Sequence, residues 1–483
     1  MSAPEATTTS RLRGYVVSLG AAEVVGRGLS FVAMIVVARV VGPESFGALA
    51  LAQAVVLYLA ALGDGGLTLW TQREIVRRPH DLPRLLVQTL VAQVLLALVA
   101  TAVLAAVAFA APFPGDTSTL ILAAAPVALA QALSTVYALQ SLEWMRSAAI
   151  VKLVTQAVAA GAAVALVLST RDPVWVIMTM WLGQLAGSAL SLAILARGKR
   201  IAFASTSIAA VRGTLRAGLP ILGALAIVHY SLMIDTVVLG VLRSSHDVGV
   251  YAAAARLMVI AVVAALVIAN ALYPEMVRRH AESDRRLGEF SGRALAIALR
   301  LSLAAGALVA AFAPQIVAAL YDERFDESAT VLRVLALLFP VLCFNSLATQ
   351  VLLAAGRRGD VLRGVGAGAV VATAAIPTAT AALGGVGTAC GLVAAMTVQC
   401  AALAWLARGD LTTGWRAPLT QEGAVGLVLC GALAAVHTGF PAAPGLLGFT
   451  WLTVVLGAEM LRGFPTVGLV LPGVRPRRGR RAR

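Results

Sequence analysis

Long apolar stretches follow one another along the chain from Tyr15 to Met460, with only short polar segments between them. Of the 483 residues, 60% are hydrophobic and 13% are charged, which exceeds what the core of a soluble domain needs. A helix of about 20 apolar residues crosses the hydrocarbon core of a bilayer and satisfies its own backbone polar groups there. Since the alternating pattern of strands is absent, the sequence predicts an all-α integral membrane protein.

The apolar stretches predict about fourteen transmembrane helices. We place these spans at 15–38, 46–69, 85–111, 118–141, 148–169, 173–196, 217–241, 248–273, 293–320, 330–355, 363–383, 385–407, 423–440 and 444–462. They divide into an N-lobe at 15–205 (spans 1–6), a C-lobe at 206–410 (spans 7–12) and two additional spans within 411–465. The segments 1–14 and 466–483 are predicted to be cytoplasmic.

The cationic residues set the predicted orientation. The chain has 38 Lys and Arg residues and a formal net charge of +15, and most of these cations fall in loops on one side, as the positive-inside rule requires of cytoplasmic loops. We therefore expect a multi-pass protein of the bacterial inner membrane with both termini cytoplasmic, and the charge gives no reason to invoke nucleic acid. The predicted outer loops hold only Arg39, Arg171, Arg243 and Arg324. Within spans or at their margins lie Arg27, Arg256, Arg300 and Arg333.

An internal repeat organises the predicted lobes. The segment VVARVVGPESFGALALAQAVV (36–56) recurs as VVLGVLRSSHDVGVYAAAARLMVI (237–260), and each copy contains a short outer turn, a glycine and a helix rich in small residues. The glycines are Gly47 and Gly249. An even number of spans, six, separates the copies, so we expect the two lobes to be related by a pseudo-twofold axis along the membrane normal.

The same residues carry a resemblance to a known family. The run GRGLSFVAMIVVARVVGPESFGALALA with LGDGGL, the run YSLMIDTVVLGVLRSSHDVGVYAAAARLM and the turn LGGVGTACGLV resemble the polysaccharide-exporter (O-antigen flippase, Wzx-type) branch of the multidrug/oligosaccharidyl-lipid/polysaccharide transporter superfamily. The second run is also similar to the lipid II flippases. The resemblance covers roughly residues 14 to 410. It implies a two-lobed bundle with a central cavity that moves an undecaprenyl-type lipid carrying a sugar chain to the outer leaflet.

Two arginines are the candidate substrate-binding residues. A charge near the bilayer centre costs about 2.5–3.5 kcal/mol on insertion scales and therefore faces a partner or a wet cavity. Arg27 lines such a cavity or forms a structural pair with Glu23, which precedes it by one helical turn. Arg256 has no carboxylate one turn away on its own helix, and the resemblance to the lipid II flippases, which includes Tyr251, Leu257 and Met258, implies a cavity role for it. Guanidinium forks can replace the hydration of a lipid pyrophosphate.

The membrane carboxylates leave several readings open. Asp235 could neutralise Arg256, take part in proton or Na⁺ coupling, or lie near the outer surface. Glu23 is likewise a candidate for coupling or for pairing within the cavity. Asp64 and Glu143, near the cytoplasmic ends of spans, could form gating contacts or could serve as helix caps or solvated residues. Polar side chains within spans could bind sugar hydroxyls or make interhelical hydrogen bonds; they are Gln53, Gln131, Tyr137, Gln140, Asn270 and Asn345.

These observations favour a flippase for an anionic lipid-linked oligosaccharide, with membrane lipids and polysaccharide assembly proteins as partners. The alternatives are a multidrug or cation antiporter of the same superfamily and a lipid II flippase. We expect no enzymatic activity, because the outer loops are too short for a catalytic domain, and no catalytic residues, metal or cofactor. The four cysteines lie in apolar runs and are interpreted as small apolar residues.

Overall fold

The computed structural model describes residues 5–110, 117–198 and 206–409, and these form helices joined by short turns. The predicted spans at 423–440 and 444–462, Cys430 and the basic tail lie outside the described residues. The helices up to the middle of the chain are α1 (Glu5–Asp64), α2 (Leu67–Arg77), α3 (Leu82–Ala110), α4 (Thr117–Ala124), α5 (Pro126–Ala132), α6 (Val136–Ser141), α7 (Met145–Thr170) and α8 (Pro173–Arg197). The later helices are α9 (Ile208–Leu242), α10 (Ser245–Glu282), α11 (Asp284–Ala311), α12 (Ala313–Leu320), α13 (Ser328–Leu335), α14 (Leu338–Ala354) and α15 (Arg358–Leu406).

Two long helices are each interrupted by one glycine. Gly42 in α1 has φ 80° and ψ 173°, and Gly384 in α15 has φ 59° and ψ −136°. A positive φ suits glycine because it has no Cβ to clash with the backbone, and Pro43 adds a residue that cannot donate a helical hydrogen bond. These breaks fall where the sequence predicts turns, between spans 1 and 2 and between spans 11 and 12.

Within the part of the chain that the structure describes, nine helical stretches are long and apolar enough to cross a membrane. One of them, Arg358–Leu406, has 49 residues, and at about 1.5 Å per residue it is more than twice the roughly 30 Å thickness of the hydrocarbon core. It therefore contains two crossings, separated at Gly384. The chain is a multi-pass helical membrane protein, and the count of about fourteen spans stays a prediction.

The end of the second span differs from its prediction at 46–69. Helix α1 ends at Asp64, because Gly65 and Gly66 both have positive φ, and the chain then forms the separate helix α2. On this helix Leu67, Thr71 and Ile75 are buried while Arg73 and Arg77 are exposed. Such an amphipathic helix suits a membrane surface rather than a crossing.

The described helices fall into two compact units. Of the described residues, the first unit comprises those up to 253 together with the short segments 320–325 and 380–385, and the second comprises 254–319, 326–379 and 386–409. In the first unit, Ile75, Leu82, Tyr137, Leu139 and Leu195 belong to a buried apolar cluster from α2, α3, α6 and α8. In the second, Leu287, Phe290, Phe344, Leu352 and Leu403 belong to another, from α11, α14 and α15.

Small residues bring helices of the first unit together. A Cβ added at Gly187 of α8 would overlap the Thr155 side chain of α7, and a Cβ at Gly183 would lie 2.6 Å from the Thr155 carbonyl oxygen. Close approach through small residues is the usual basis of helix packing in membranes, where lipid removes the hydrophobic driving force between helices.

Candidate functional site

A cluster of charged side chains joins α1 and α7 within the first unit. The Nε of Arg27 donates to Oε1 of Glu23 at 2.8 Å, and the Nζ of Lys152 donates to Oε2 of the same carboxylate at 3.1 Å. The side chains are partly open, with exposed fractions of 44% for Arg27, 39% for Glu23 and 37% for Lys152. The pair that the spacing of Glu23 and Arg27 predicts is therefore present, and Lys152 gives the cluster a net positive charge.

The cluster continues along both helices as neutral polar groups. The Ser30 hydroxyl donates to Oε1 of Gln156 at 2.6 Å. Glu23, Arg27 and Ser30 follow at intervals of four and three residues on α1, and Lys152 and Gln156 are four apart on α7, so each set lies on one helical face. Gly26 permits this approach, since a Cβ there would lie 3.1 Å from Cγ of Gln156.

Helix length and apolarity place the charged cluster within two candidate membrane spans. Arg27 precedes the break at Gly42 by about 22 Å of helix, and Lys152 lies about 10 Å after the start of α7, from a rise of about 1.5 Å per residue. Both lie within candidate membrane spans, Ala22–Tyr58 and Met145–Thr170. The predicted topology places the cluster in the cytoplasmic third of the hydrocarbon core. Partly exposed charges at this depth require water or an ionic partner.

Sequence alone does not single out Lys152 as a site residue, because it counts among the many cations that follow the positive-inside rule. The available signal was its position, since Lys152 falls within the span predicted at 148–169. Its carboxylate partner lies on another helix, 129 residues earlier in the chain, and a pairing of this kind leaves no mark in local spacing.

Asp235 of α9 is buried, with 6% of its surface exposed. Its carboxylate accepts hydrogen bonds from the Tyr251 hydroxyl at 2.5 Å and from the Thr236 backbone N–H at 2.7 Å. Tyr251, on α10, is itself fully buried. The structure thus places Asp235 in a hydrogen-bonded pair within the first unit. Buried carboxylates in membrane spans are common at ion and proton sites.

The other predicted residues lie elsewhere. Arg256 lies on α10 in the second unit and is partly buried. The residues that follow it on the helix change from buried at Leu257 and Met258 to exposed at Val259 and Ile260. Asp64, the last residue of α1, accepts hydrogen bonds from the Thr68 hydroxyl and, at 3.0 Å, from Nε2 of Gln93. Glu143 is exposed in the turn before α7 with φ 60°. The structure brings Glu23 and Arg27 together, whereas Asp64 bonds to Thr68 and Gln93 instead.

Several polar side chains within spans make interhelical hydrogen bonds. Gln53 donates to the sulfur of Met180 at 3.5 Å, Gln140 accepts from Gln72 at 2.8 Å, and Asn345 donates to the Met396 carbonyl at 3.3 Å. Asn270 accepts from Gln350 at 2.8 Å. These four side chains serve helix packing, the commoner of their two expected uses.

A shallow cavity of about 460 Å³ on α11 and α12 does not suit the phosphate headgroup of a lipid-linked saccharide. Its lining consists of Leu308, Val309, Phe312, Gln315, Ile316 and Ala319. Without a charged group, such a surface suits lipid chains better than a phosphate.

The two copies of the internal repeat meet at their glycines. A Cβ on Gly47 of α1 would overlap the backbone of Ser245, and a Cβ on Gly249 of α10 would overlap the carbonyl of Pro43. The contact is reciprocal, since each copy's glycine lies against the backbone of the other copy. Around it Phe46, Tyr251 and Phe325 are fully buried. This end of the first unit, predicted to be the outer end, is tightly packed.

Three arginines of the predicted outer side bond to carbonyls near helix ends in the first unit. Arg39 Nε donates to the Leu320 carbonyl at 2.7 Å, and Arg324 Nη2 donates to the Arg39 carbonyl at 2.7 Å. Arg243 donates to the Thr380 carbonyl at 3.3 Å and to the Ala381 carbonyl at 2.6 Å. We call these contacts the outer clasp. The sequence places Arg39 in a predicted outer loop, and the structure gives its side chain a carbonyl acceptor.

Solved structures share this fold. A structure described as "Lipid II flippase MurJ, inward closed conformation" matches with a TM-score of 0.73 and 10% identity over 92% of this chain and 100% of that chain. An inward-facing multidrug resistance MATE family transporter of the MOP superfamily matches with a TM-score of 0.63 and 18% identity over 85% and 96%. A MOP superfamily transporter from Pyrococcus furiosus Vc1 (DSM3638), described by a reverse polarity of its binding pocket, matches with a TM-score of 0.56 and 16% identity over 87% and 96%. No curated protein sequence matches the chain.

The fold is that of the MOP superfamily of helical membrane transporters. The family model described as "Polysaccharide biosynthesis protein" matches residues 13–280, and the MatE model matches residues 220–378. Since the first match spans more than half of the chain, the protein belongs to the polysaccharide biosynthesis protein family. The predicted resemblance to this superfamily is confirmed.

Proposed function

We propose that this protein is a flippase that moves an anionic, undecaprenyl-type lipid-linked oligosaccharide from the cytoplasmic to the outer leaflet. In this proposal it acts in the bacterial inner membrane, with both termini cytoplasmic, and supplies saccharide to proteins that assemble a surface polysaccharide. Its partners are the lipid-linked saccharide and membrane lipids, and it catalyses no covalent step.

The observation that carries this proposal is the partly exposed Arg27 side chain at membrane depth. An exposed charge in contact with lipid chains is costly, so a water-accessible passage is the environment that suits it. A cationic passage favours anionic cargo, and the phosphate groups of a lipid-linked sugar are the part that cannot cross oil unaided. The family match, which covers residues 13–280, supports polysaccharide synthesis as the context.

Transport would proceed by alternating access. The packed contact at Gly47 and Gly249 and the outer clasp support a state closed on the outer side. Arg27 and Arg256 would bind the headgroup in a cationic cavity formed by the two lobes predicted at 15–205 and 206–410. Opening of the outer side would then release the cargo to the outer leaflet.

Three carboxylates have proposed roles in coupling and gating. Asp235, buried with Tyr251, would couple transport to a proton or Na⁺ gradient or set the charge balance of the cavity. Asp64 and Glu143, at predicted cytoplasmic span ends, would contribute to gating on that side.

The alternative is a multidrug or cation antiporter. The buried Asp235 carboxylate and the MatE match at residues 220–378 are the observations that favour it, because a cationic drug needs an acidic site. A lipid II flippase is the other alternative, and it shares the phosphate chemistry proposed here.

A cellular experiment tests the proposal. Arg256→Ala should abolish export of the surface polysaccharide and leave protein level and membrane insertion unchanged. Arg285→Ala is the matched control, because it removes an exposed arginine that pairs with Glu289 outside the candidate site. Normal surface polysaccharide in the Arg256 variant would remove Arg256 from the site.

A further inference from the structure

The Glu23 carboxylate pairs with two cationic side chains, and each cation has further hydrogen-bond donors that Glu23 does not engage. Arg27 commits only its Nε to Glu23, and Lys152 commits its Nζ. Among the residues that the structure describes, the two Nη groups of Arg27 and the amide nitrogen of Gln156 donate to no protein acceptor. The bonds from Arg27 and Lys152 to Glu23 and from Ser30 to Gln156 show that these groups lie near one another on the facing surfaces of α1 and α7.

The two ion pairs are of the weak kind. All three side chains are more than one third exposed, and pairs in such surroundings contribute little net stability because water competes for each charge. A phosphate group offers more acceptor oxygens than a carboxylate and can engage a guanidinium through two parallel hydrogen bonds. An incoming diphosphate can therefore replace Glu23 as the partner of both cations.

We propose that Arg27, Lys152 and Gln156 form the first binding station for the pyrophosphate of a polyprenyl lipid, with Glu23 as a resident counter-ion that the headgroup displaces. The inference rests on the proposed function and adds Lys152 and Gln156 to its site. In the empty protein, Glu23 neutralises one of the two cations and limits the cost of keeping them at membrane depth. When the headgroup binds, the diphosphate replaces Glu23 as the partner of Arg27 and Lys152. Repulsion between the Glu23 carboxylate and the diphosphate then favours release of the headgroup.

A purely structural network predicts the opposite response to substitution. If Glu23 only holds α1 against α7, its loss weakens the fold and anything bound to it. If Glu23 competes with the ligand, its loss frees Arg27 and Lys152 and strengthens anion binding. The sign of the change in affinity therefore separates the two accounts.

The experiment uses the full chain in nanodiscs of zwitterionic lipid, with farnesyl pyrophosphate, inorganic pyrophosphate and farnesol as probes. Glu23→Gln should tighten farnesyl pyrophosphate binding about fivefold, the combined effect of removing two weak, partly exposed ion pairs. Lys152→Gln should weaken it about tenfold. Farnesol should respond to neither. Inorganic pyrophosphate should follow the same pattern with weaker affinity if the lipid is the cognate ligand.

Glu275→Gln is the matched control, since Glu275 also pairs with two cations, Arg278 and Arg279. Nε of Arg279 lies 2.7 Å from Oε1 of Glu275. It should leave binding unchanged. Thermal melting of each variant separates loss of fold from loss of affinity. The inference is overturned if wild type binds no farnesyl pyrophosphate, if Glu23→Gln weakens binding, if Lys152→Gln leaves it unchanged, or if inorganic pyrophosphate binds more tightly than the lipid.

A parallel flipping assay keeps this inference separate from the proposed function. Flipping of a lipid-linked saccharide by wild type, without the expected changes in binding, would reject the displacement of Glu23 and keep the function. The expected binding pattern without any flipping would reject the function and keep the site.

Discussion

Single residues in this protein place charge at membrane depth and pair it across helices. The Glu23 and Arg27 pair could be predicted from sequence because its partners are four residues apart on one helix. Lys152 could not, because its partner is brought close only by the packing of α7 on α1. The hydrogen bond between Tyr251 and the buried Asp235 cannot be predicted from local spacing either, because the two residues lie on different helices. Sequence thus indicates which residues are unusual, whereas the fold determines their partners.

The contact between Gly47 and Gly249 gives a stability prediction. Gly47→Ala and Gly249→Ala each place a Cβ against backbone atoms that cannot rotate away, so we expect a loss of about 1–3 kcal/mol from overpacking. Thermal unfolding in detergent measures the effect. Gly28→Ala is the control, since a Cβ on Gly28 has nothing within 4 Å and alanine favours a helix. Equal melting temperatures for Gly47→Ala and Gly28→Ala would contradict the packed contact.

Asp322 gives a pH prediction. A hydrogen bond from Arg324 is the main cause that holds the pKa of the Asp322 carboxyl below its ordinary value, with Nε of Arg324 at 3.0 Å. Because the folded pKa is the lower one, the pair stabilises the protein above the unfolded pKa of about 3.9 and loses this contribution as pH falls through the folded pKa. Melting curves should show Asp322→Asn slightly less stable than wild type at pH 6, by less than about 1 kcal/mol. The difference should vanish in strong acid, and a difference that grows as pH falls would contradict this assignment.

At the scale of helices, the unpaired carbonyls at helix ends explain the positions of the three arginines on the predicted outer side. The last turn of a helix leaves carbonyls without intrahelical partners and carries partial negative charge. Leu320 ends α12, Arg39 precedes the break at Gly42, and Thr380 and Ala381 precede the break at Gly384. The side chains of Arg39, Arg324 and Arg243 donate to these carbonyls. The outer clasp therefore caps helix ends in the loops where the positive-inside rule predicts few cations.

Removal of Arg243 tests the clasp. Arg243→Ala should leave the Thr380 and Ala381 carbonyls without their side-chain donor and lower stability by about 1 kcal/mol. Hydrogen–deuterium exchange should become faster in a peptide that covers 376–386. Arg171→Gln is the control, because Arg171 is exposed at the end of α7 in another predicted outer loop. Unchanged exchange in the Arg243 variant would show that the bonds do not hold this segment.

The sequence predicts the helices better than their interruptions. The turns at Gly42 and Gly384 follow from glycine with neighbouring turn residues, and both are present. The fourth predicted span, at 118–141, instead consists of α4, α5 and α6. Pro126 begins α5, and the Thr135 hydroxyl before α6 bonds to Ser191 of α8 at 2.9 Å. Apolarity alone predicts that such a stretch enters the membrane, and tertiary hydrogen bonds decide where its helix breaks.

At the scale of the whole molecule, apolar run length and charge asymmetry are sufficient to predict a multi-pass helical protein. The repeat at 36–56 and 237–260 further predicted related halves, and its two glycines meet in the structure. Lobe limits, span count and orientation stay predictions. The sugar cannot be predicted, since hydroxyl recognition depends on side chains from many helices.

The most direct test of the central claim is flipping of a fluorescent lipid-linked oligosaccharide in proteoliposomes that contain the purified full chain. Wild type and Arg285→Gln should flip the lipid at equal rates, and Arg27→Gln should slow flipping at least about tenfold, because it removes a charge-assisted partner of the phosphate. Flipping that is unaffected by Arg27→Gln, or wild-type transport of a cationic dye with no flipping of the anionic lipid, would contradict the account.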